Sequence, residues 1–138
     1  MIDRTNVLVF VFTKTPSLRV LLMKRKPEKG GFWQPVSGGI ERNEAPLQAL
    51  KREVMEETGI KSYERIVDLE YTFAHNTEKD GVLMKMRDIC YAVEVKRTLK
   101  VTLSEEHLEY IWCDLKDCMK YLDWDPVIVA LRKLVELV

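Results

Sequence analysis

Glu53, Glu56 and Glu57 follow directly on Arg52 in the stretch Arg52-Glu53-Val54-Met55-Glu56-Glu57. On a helix, at about 100° per residue, the three carboxylates fall within an arc of about 100°. They lie beside the apolar stripe Leu47, Leu50 and Val54, which places them at the edge of the face such a helix buries. Carboxylates crowded there repel one another and lose hydration. Arg52 can offset part of that charge. A hard divalent cation, taking oxygen ligands and keeping waters, would offset the rest. An acidic, solvated helix face would show the same composition. Two features favour the cation. Ala49 projects onto the carboxylate face one turn earlier, so nothing bulky blocks a ligand. Gly38 and Gly39 let backbone groups approach closely just upstream.

The elements that must position this cluster can be read from periodicity and turn chemistry. The spacing predicts a helix over Pro46–Thr58, with Pro46 at its first position and Gly59 as C-cap. Asn6–Phe12 and Leu18–Met23 read as strands of a hairpin around the turn Lys14-Thr15-Pro16-Ser17. Phe32–Val36 reads as a short extended piece broken by Ser37-Gly38-Gly39. Tyr63–Phe73 and Val82–Val95 read as an antiparallel pair, with His75–Gly81 as a polar loop between them. Tyr110–Asp114 reads as a strand and Leu115–Leu122 as a short helix. Asp125 is expected to cap a last helix from Pro126, with Ile128, Leu131, Leu134 and Val135 on its buried stripe. This order predicts an α+β fold, a sandwich of helices around a mixed central sheet rather than a doubly wound parallel sheet. No repeat or linker divides the chain, so residues 1–138 are expected to form one domain.

Composition narrows the function classes. The chain has 138 residues, 46% of them apolar and 32% charged, as expected of a globular protein. Lys plus Arg and Asp plus Glu are both 22, giving zero formal charge, which argues against a polymeric nucleic acid as partner. The longest apolar run, Val7–Phe12, is far short of a membrane span. The N-terminus carries Asp3 and Arg4 before a strand-like run, not a secretory signal. Cys90, Cys113 and Cys118 lack CxxC spacing and read as buried thiols, which implies a reducing, cytoplasmic setting.

The spacing around the cluster carries a resemblance. Gly38 is followed after five residues by Glu44, then after seven by Arg52-Glu53-Val54, then by Glu56-Glu57 and Gly59-Ile60. This pattern is similar to the signature of the Nudix hydrolases at every specified position, and the strands around it resemble the Nudix α/β/α sandwich. The resemblance implies Mg²⁺ or Mn²⁺ as cofactor, with Glu53, Glu56 and Glu57 as metal ligands. It implies a backbone carbonyl of Ser37 or Gly38 completing the site, Arg52 orienting the carboxylates, and Glu44 supporting the loop–helix junction. Ala45 stands where many members carry a Ser or Thr cap; Gln48 can compensate by reaching back to the helix start.

Members of that family cleave a nucleoside diphosphate linked to a further group. Water attacks a phosphorus bearing negative charge, so the metal neutralises oxygens and acidifies water while a carboxylate takes the proton. Glu53 and Glu106 are the two candidates for that base, since Glu106-His107-Leu108-Glu109-Tyr110-Ile111-Trp112 resembles an element that reaches the metal site in several subfamilies. His107 and His75 read as structural. Arg25 resembles a phosphate contact, Trp33 flanks a ring or packs under its loop, and Gly38 is expected to contact the substrate with them. The resemblance points to a nucleoside triphosphate or dihydroneopterin triphosphate pyrophosphohydrolase, working as monomer or homodimer on a small molecule. A dinucleoside polyphosphate hydrolase is the alternative. A sensor that binds without cleaving is disfavoured, because Glu44, Arg52, Glu53, Glu56 and Glu57 are all present.

Overall fold

The computed structural model describes residues 1–138, the side chain of Lys79 excepted. The strands are β1 (Arg4–Thr13), β2 (Arg19–Arg25), β3 (Trp33–Gln34), β4 (Val36–Gly39), β5 (Arg65–Lys79), β6 (Val82–Glu94) and β7 (His107–Cys113). The α-helices are α1 (Pro46–Thr58), α2 (Leu115–Tyr121) and α3 (Asp125–Leu137). None of the helices is long and apolar enough to cross a membrane.

β1 is the axis of a mixed sheet. It runs parallel to β6 over Arg4–Phe12, and β6 pairs antiparallel with β5. On its other edge β1 pairs antiparallel with β2 only at Phe12↔Val20 and Thr13↔Arg19. β4 takes the same edge further back, from Asn6↔Gly39 to Val9↔Val36. β2 therefore diverges from β1 and is held by β7 and β3 instead. The sequence hairpin is real only at its turn.

Both faces of β1 are covered, which is why its sequence is continuously apolar. Val7, Val9 and Val11 pack with Ala49, Leu50 and Val54 of α1. Leu8, Phe10 and Phe12 pack with Ala130, Leu131 and Leu134 of α3. The expected mixed sheet between α1 and the C-terminal helix is what the chain forms.

Several local expectations are corrected. Ser37-Gly38-Gly39 is no break but most of β4. His75–Gly81 is not a loop: β5 continues to Lys79 and a two-residue turn, Asp80-Gly81, with φ of 52° and 78°, leads into β6. Positive φ at both turn residues matches the twist of a tight hairpin, so the polar composition marks a half-solvated ribbon, not a loop. Leu47 is 47% exposed, whereas Ala49 is fully buried. Helix α1 is thus rotated so that Ala49 and Glu53 face the sheet. Trp124, not Asp125, is the cap of α3, and Val135 is exposed at 37% while Val127 and Ala130 are buried. Pro46 and Gly59 (φ 78°) bound α1 as expected, and the Ala45 N–H donates to Gln48 Oε1 at 2.7 Å.

The three cysteines are free and buried. Cys113 and Cys118 bring their Sγ atoms to 2.7 Å in the α3-side core. Burial, with the Asp88 charge second, pushes the Cys90 thiol up to about 12.

Candidate active site

Arg52 organises the carboxylates. Its Nε and Nη2 donate to Glu44 Oε2 and Oε1 at 2.8 and 2.9 Å, a two-pronged pair. Nη2 also donates to the Gly39 carbonyl at 2.8 Å, tying α1 to β4. Nη1 donates to Glu53 Oε1 at 2.6 Å and to Glu56 Oε2 at 3.4 Å. Glu44 in turn accepts the Glu41 N–H at 2.9 Å. The Arg52 guanidinium, with the Glu41 N–H second, holds the Glu44 carboxyl down at about 2. The same contacts hold Arg52 firmly charged.

Two carboxylates lie deeper than an edge position. Glu53 is 9% exposed and Glu57 3%. The room for Glu53 comes from Gly38, where a Cβ would occupy the space of its carboxylate. Glu57 has no comparable cation. Its Oε1 is buried with no hydrogen-bond partner. Burial first, then the Glu53 carboxylate and the Glu106 charge, push Glu57 up to about 10, against a smaller pull from the Ser37 backbone. Without a counter-charge this acid keeps its proton.

Arg25, Trp33, Gly38, Glu53, Glu56, Glu57 and Glu106 all line one cavity of about 1000 Å³. Arg25 sits where β2 slips register against β7, its guanidinium 5.5 Å from the Phe32 ring and its Nε buried without a partner. Glu106 is exposed, in the turn before β7, and its carbonyl accepts the Lys26 N–H at 3.1 Å. Trp33 leans on Tyr121 at 5.1 Å and 60°, and is partly buried in the α3-side core. His107 is buried, its Nε2 3.1 Å from Gln34 Nε2 and 4.0 Å from Glu57 Oε1. Burial, with Arg25 second, lowers its pKa, against a smaller rise from Glu106, and its Nδ1 is buried without a partner.

Sequence reasoning did not find the opposite wall of the cavity. Arg4, Asn6, His75, Asp88 and Trp124 also line it. The Arg4 guanidinium lies over Gly39, where a Cβ would displace it. The one available signal was phase: Asp88 falls on the same side of β6 as the buried Cys90 and Ala92, a polar residue where the alternation calls for an apolar one.

The donor set fits a hard divalent cation. It consists of carboxylate oxygens, one of them a buried orphan. Among the described residues no three such side chains are already closed around a point.

Comparison with known proteins gives the same family. The NUDIX domain model matches residues 3–132. The chain is 36% identical over 119 residues to a Myxococcus xanthus protein named octanoyltransferase, covering 86% of this chain but only 33% of that one. The chain thus spans about a third of the length of this relative. It is 31% identical over 121 residues to the Escherichia coli dihydroneopterin triphosphate diphosphatase, covering 79% of this chain and 77% of the relative. The structure of the Escherichia coli dihydroneopterin triphosphate pyrophosphohydrolase superposes with a TM-score of 0.82, covering 100% of both chains at 22% identity, a likeness of fold. With its signature spacing, its sheet and its carboxylate helix in a cleft, the chain belongs to the Nudix family.

Proposed function

We propose that the protein is a divalent-metal-dependent pyrophosphohydrolase that cleaves a nucleoside or pterin triphosphate to the monophosphate and pyrophosphate. The observation that carries this reading is the orphaned, buried Glu57 carboxylate beside the Arg52-ordered Glu53, both lining a cavity large enough for a ring and a phosphate chain. Glu53, Glu56 and Glu57 would hold Mg²⁺ or Mn²⁺. A bound cation supplies charge neutralisation of the phosphates and an acidified water.

The chain's own groups do the rest. Arg52 fixes the orientation of Glu53 and Glu56, and Gly38 leaves the space in which Glu53 lies. Arg25 and Arg4, both on the cavity wall, pair with phosphate oxygens and hold the triphosphate chain. Water attacks the α- or β-phosphorus, the bridging P–O bond breaks, and its electron pair leaves with the departing phosphate oxygen. The same two products form either way. Glu106 takes the water's proton: its carboxylate is exposed on the cavity rim, whereas Glu53 Oε1 is engaged by Arg52.

The test is a panel of nucleoside triphosphates, diadenosine tetraphosphate, ADP-ribose and dihydroneopterin triphosphate, with Mg²⁺ or with excess chelator, and products separated. Pyrophosphate and a monophosphate, formed only with metal, are expected. Cleavage of diadenosine tetraphosphate alone would overturn the substrate reading. Tight binding without cleavage would make the protein a sensor.

A further inference from the structure

Asp88 is a carboxylate in the wrong place for folding alone. Its side chain is 5% exposed and lies on the core phase of β6. Burying a carboxylate there is costly, and an apolar residue would serve the sheet better. Its contacts are one-sided. Asn6 Nδ2 donates to Asp88 Oδ1 at 2.8 Å, and His75 Nε2 lies 3.3 Å from the same oxygen. Among the described residues Oδ2 accepts no hydrogen bond. The Asn6 amide spends its N–H groups on Asp88 Oδ1 and Met86 Sδ, which leaves its carbonyl oxygen free. All three residues line the cavity. Trp124, 43% exposed, stands edge-on to His75 at 4.9 Å and 86° and walls the same spot.

Asp88 Oδ2 and the Asn6 carbonyl oxygen are the unengaged acceptors at this spot, so it fits a ring edge that offers donors. Among common rings, the 2-amino-4-oxopyrimidine edge of guanine or pterin presents a ring N–H beside an exocyclic NH₂. Adenine, cytosine and uracil each place an acceptor next to their donor. Position agrees. Gly39, Asn6 and Asp88 form one cross-strand row, so Asp88 lies two strand spacings, about 10 Å, from the Gly39 carbonyl that Arg52 binds. That separation suits a ring joined to phosphates through a sugar or side chain.

We propose that Asp88, set by Asn6 and His75, is the specificity-determining group of the cavity and selects substrates carrying a 2-amino-4-oxopyrimidine ring. The inference rests on the triphosphate reading above and names its ring. The experiment measures binding of GMP against IMP, which lacks only the 2-amino group, and of neopterin against the matching 2-oxo lumazine. The rates for GTP, ITP and CTP are measured in parallel. The 2-amino member of at least one pair is expected to bind about tenfold tighter, and the pair that does so names the source as guanine or pterin. In Asp88→Asn, whose amide can donate as well as accept, the gap should fall to about threefold or less. The wild-type ratios decide the matter if that variant does not fold. Equal affinity within both pairs overturns the proposal. Where that equal affinity is found while GTP, ITP and CTP are all hydrolysed, the hydrolase reading still stands. A 2-amino preference in binding without any cleavage supports the proposal and sinks the hydrolase reading instead.

Discussion

Glu57 and Glu44 sit one helix apart in sequence and respond to their surroundings in opposite directions. Glu57 is held near 10, above the ordinary carboxylate value of 4.5, so the folded protein binds a proton that the unfolded chain releases. Its stabilising effect is complete below about pH 4.5 and is lost as pH rises toward 10. The metal-free protein should therefore melt at lower temperature at pH 9 than at pH 6. Glu57→Gln, which fixes the neutral form, should flatten that slope. A cation must displace the proton, so added Mg²⁺ should raise Tm more at pH 9 than at pH 6. Identical Tm gains at both pH values would contradict the buried-acid account. Glu44 is held near 2, so its contribution is complete above about 4.5 and is lost as pH falls toward 2. Arg52→Ala should be less stable than the wild type at pH 6, with the difference narrowing at pH 3. Paired thermal melts at the two pH values check this.

Much of the residue-scale candidate site was legible because it is local. The spacing from Arg52 to Glu57 sets its own geometry once a helix forms, and charge crowding follows from that geometry. Asn6 and Asp88 were not legible. They are 82 residues apart and meet only because β1 runs parallel to β6.

Helix α1 shows what periodicity can and cannot fix. Its ends and length follow from Pro46, Gln48 and Gly59. Its rotation does not, because Leu47 and Ala49 fit two different buried stripes. The glycine at position 38 decides, since it admits Glu53 against β4 and so turns Leu47 outward. Leu50→Ala should then cost about 3 kcal/mol as a fully buried core truncation, while Leu47→Ala should stay within about 0.5 kcal/mol. Chemical denaturation of both variants checks the rotation; equal losses would restore the sequence-based stripe. Gly38→Ala should cut activity at least tenfold by expelling the Glu53 carboxylate. Similarly, β5 and β6 were readable as strands, but their polar ends looked like a loop because half of that ribbon faces water.

At the scale of the molecule, the fold brings a carboxylate helix and a polar sheet wall to one cavity from opposite faces of β1. The order of strands and helices sufficed to predict the layers, because each helix carries an apolar face that only a sheet can cover. The divergence of β2 from β1, which makes room for β4 beneath α1, could not be read, since it depends on β7 capturing β2 from 82 or more residues away. The central claim is that the Arg52-ordered carboxylates hold the metal that drives triphosphate hydrolysis. It is tested most directly by the rate of pyrophosphate release against Mg²⁺ concentration for the wild type and Glu57→Gln. A saturable Mg²⁺ dependence in the wild type and at least a tenfold lower kcat in the variant, ~1.4 kcal/mol of barrier, are predicted. Full wild-type activity in excess chelator, or an unchanged kcat in the variant, would contradict it.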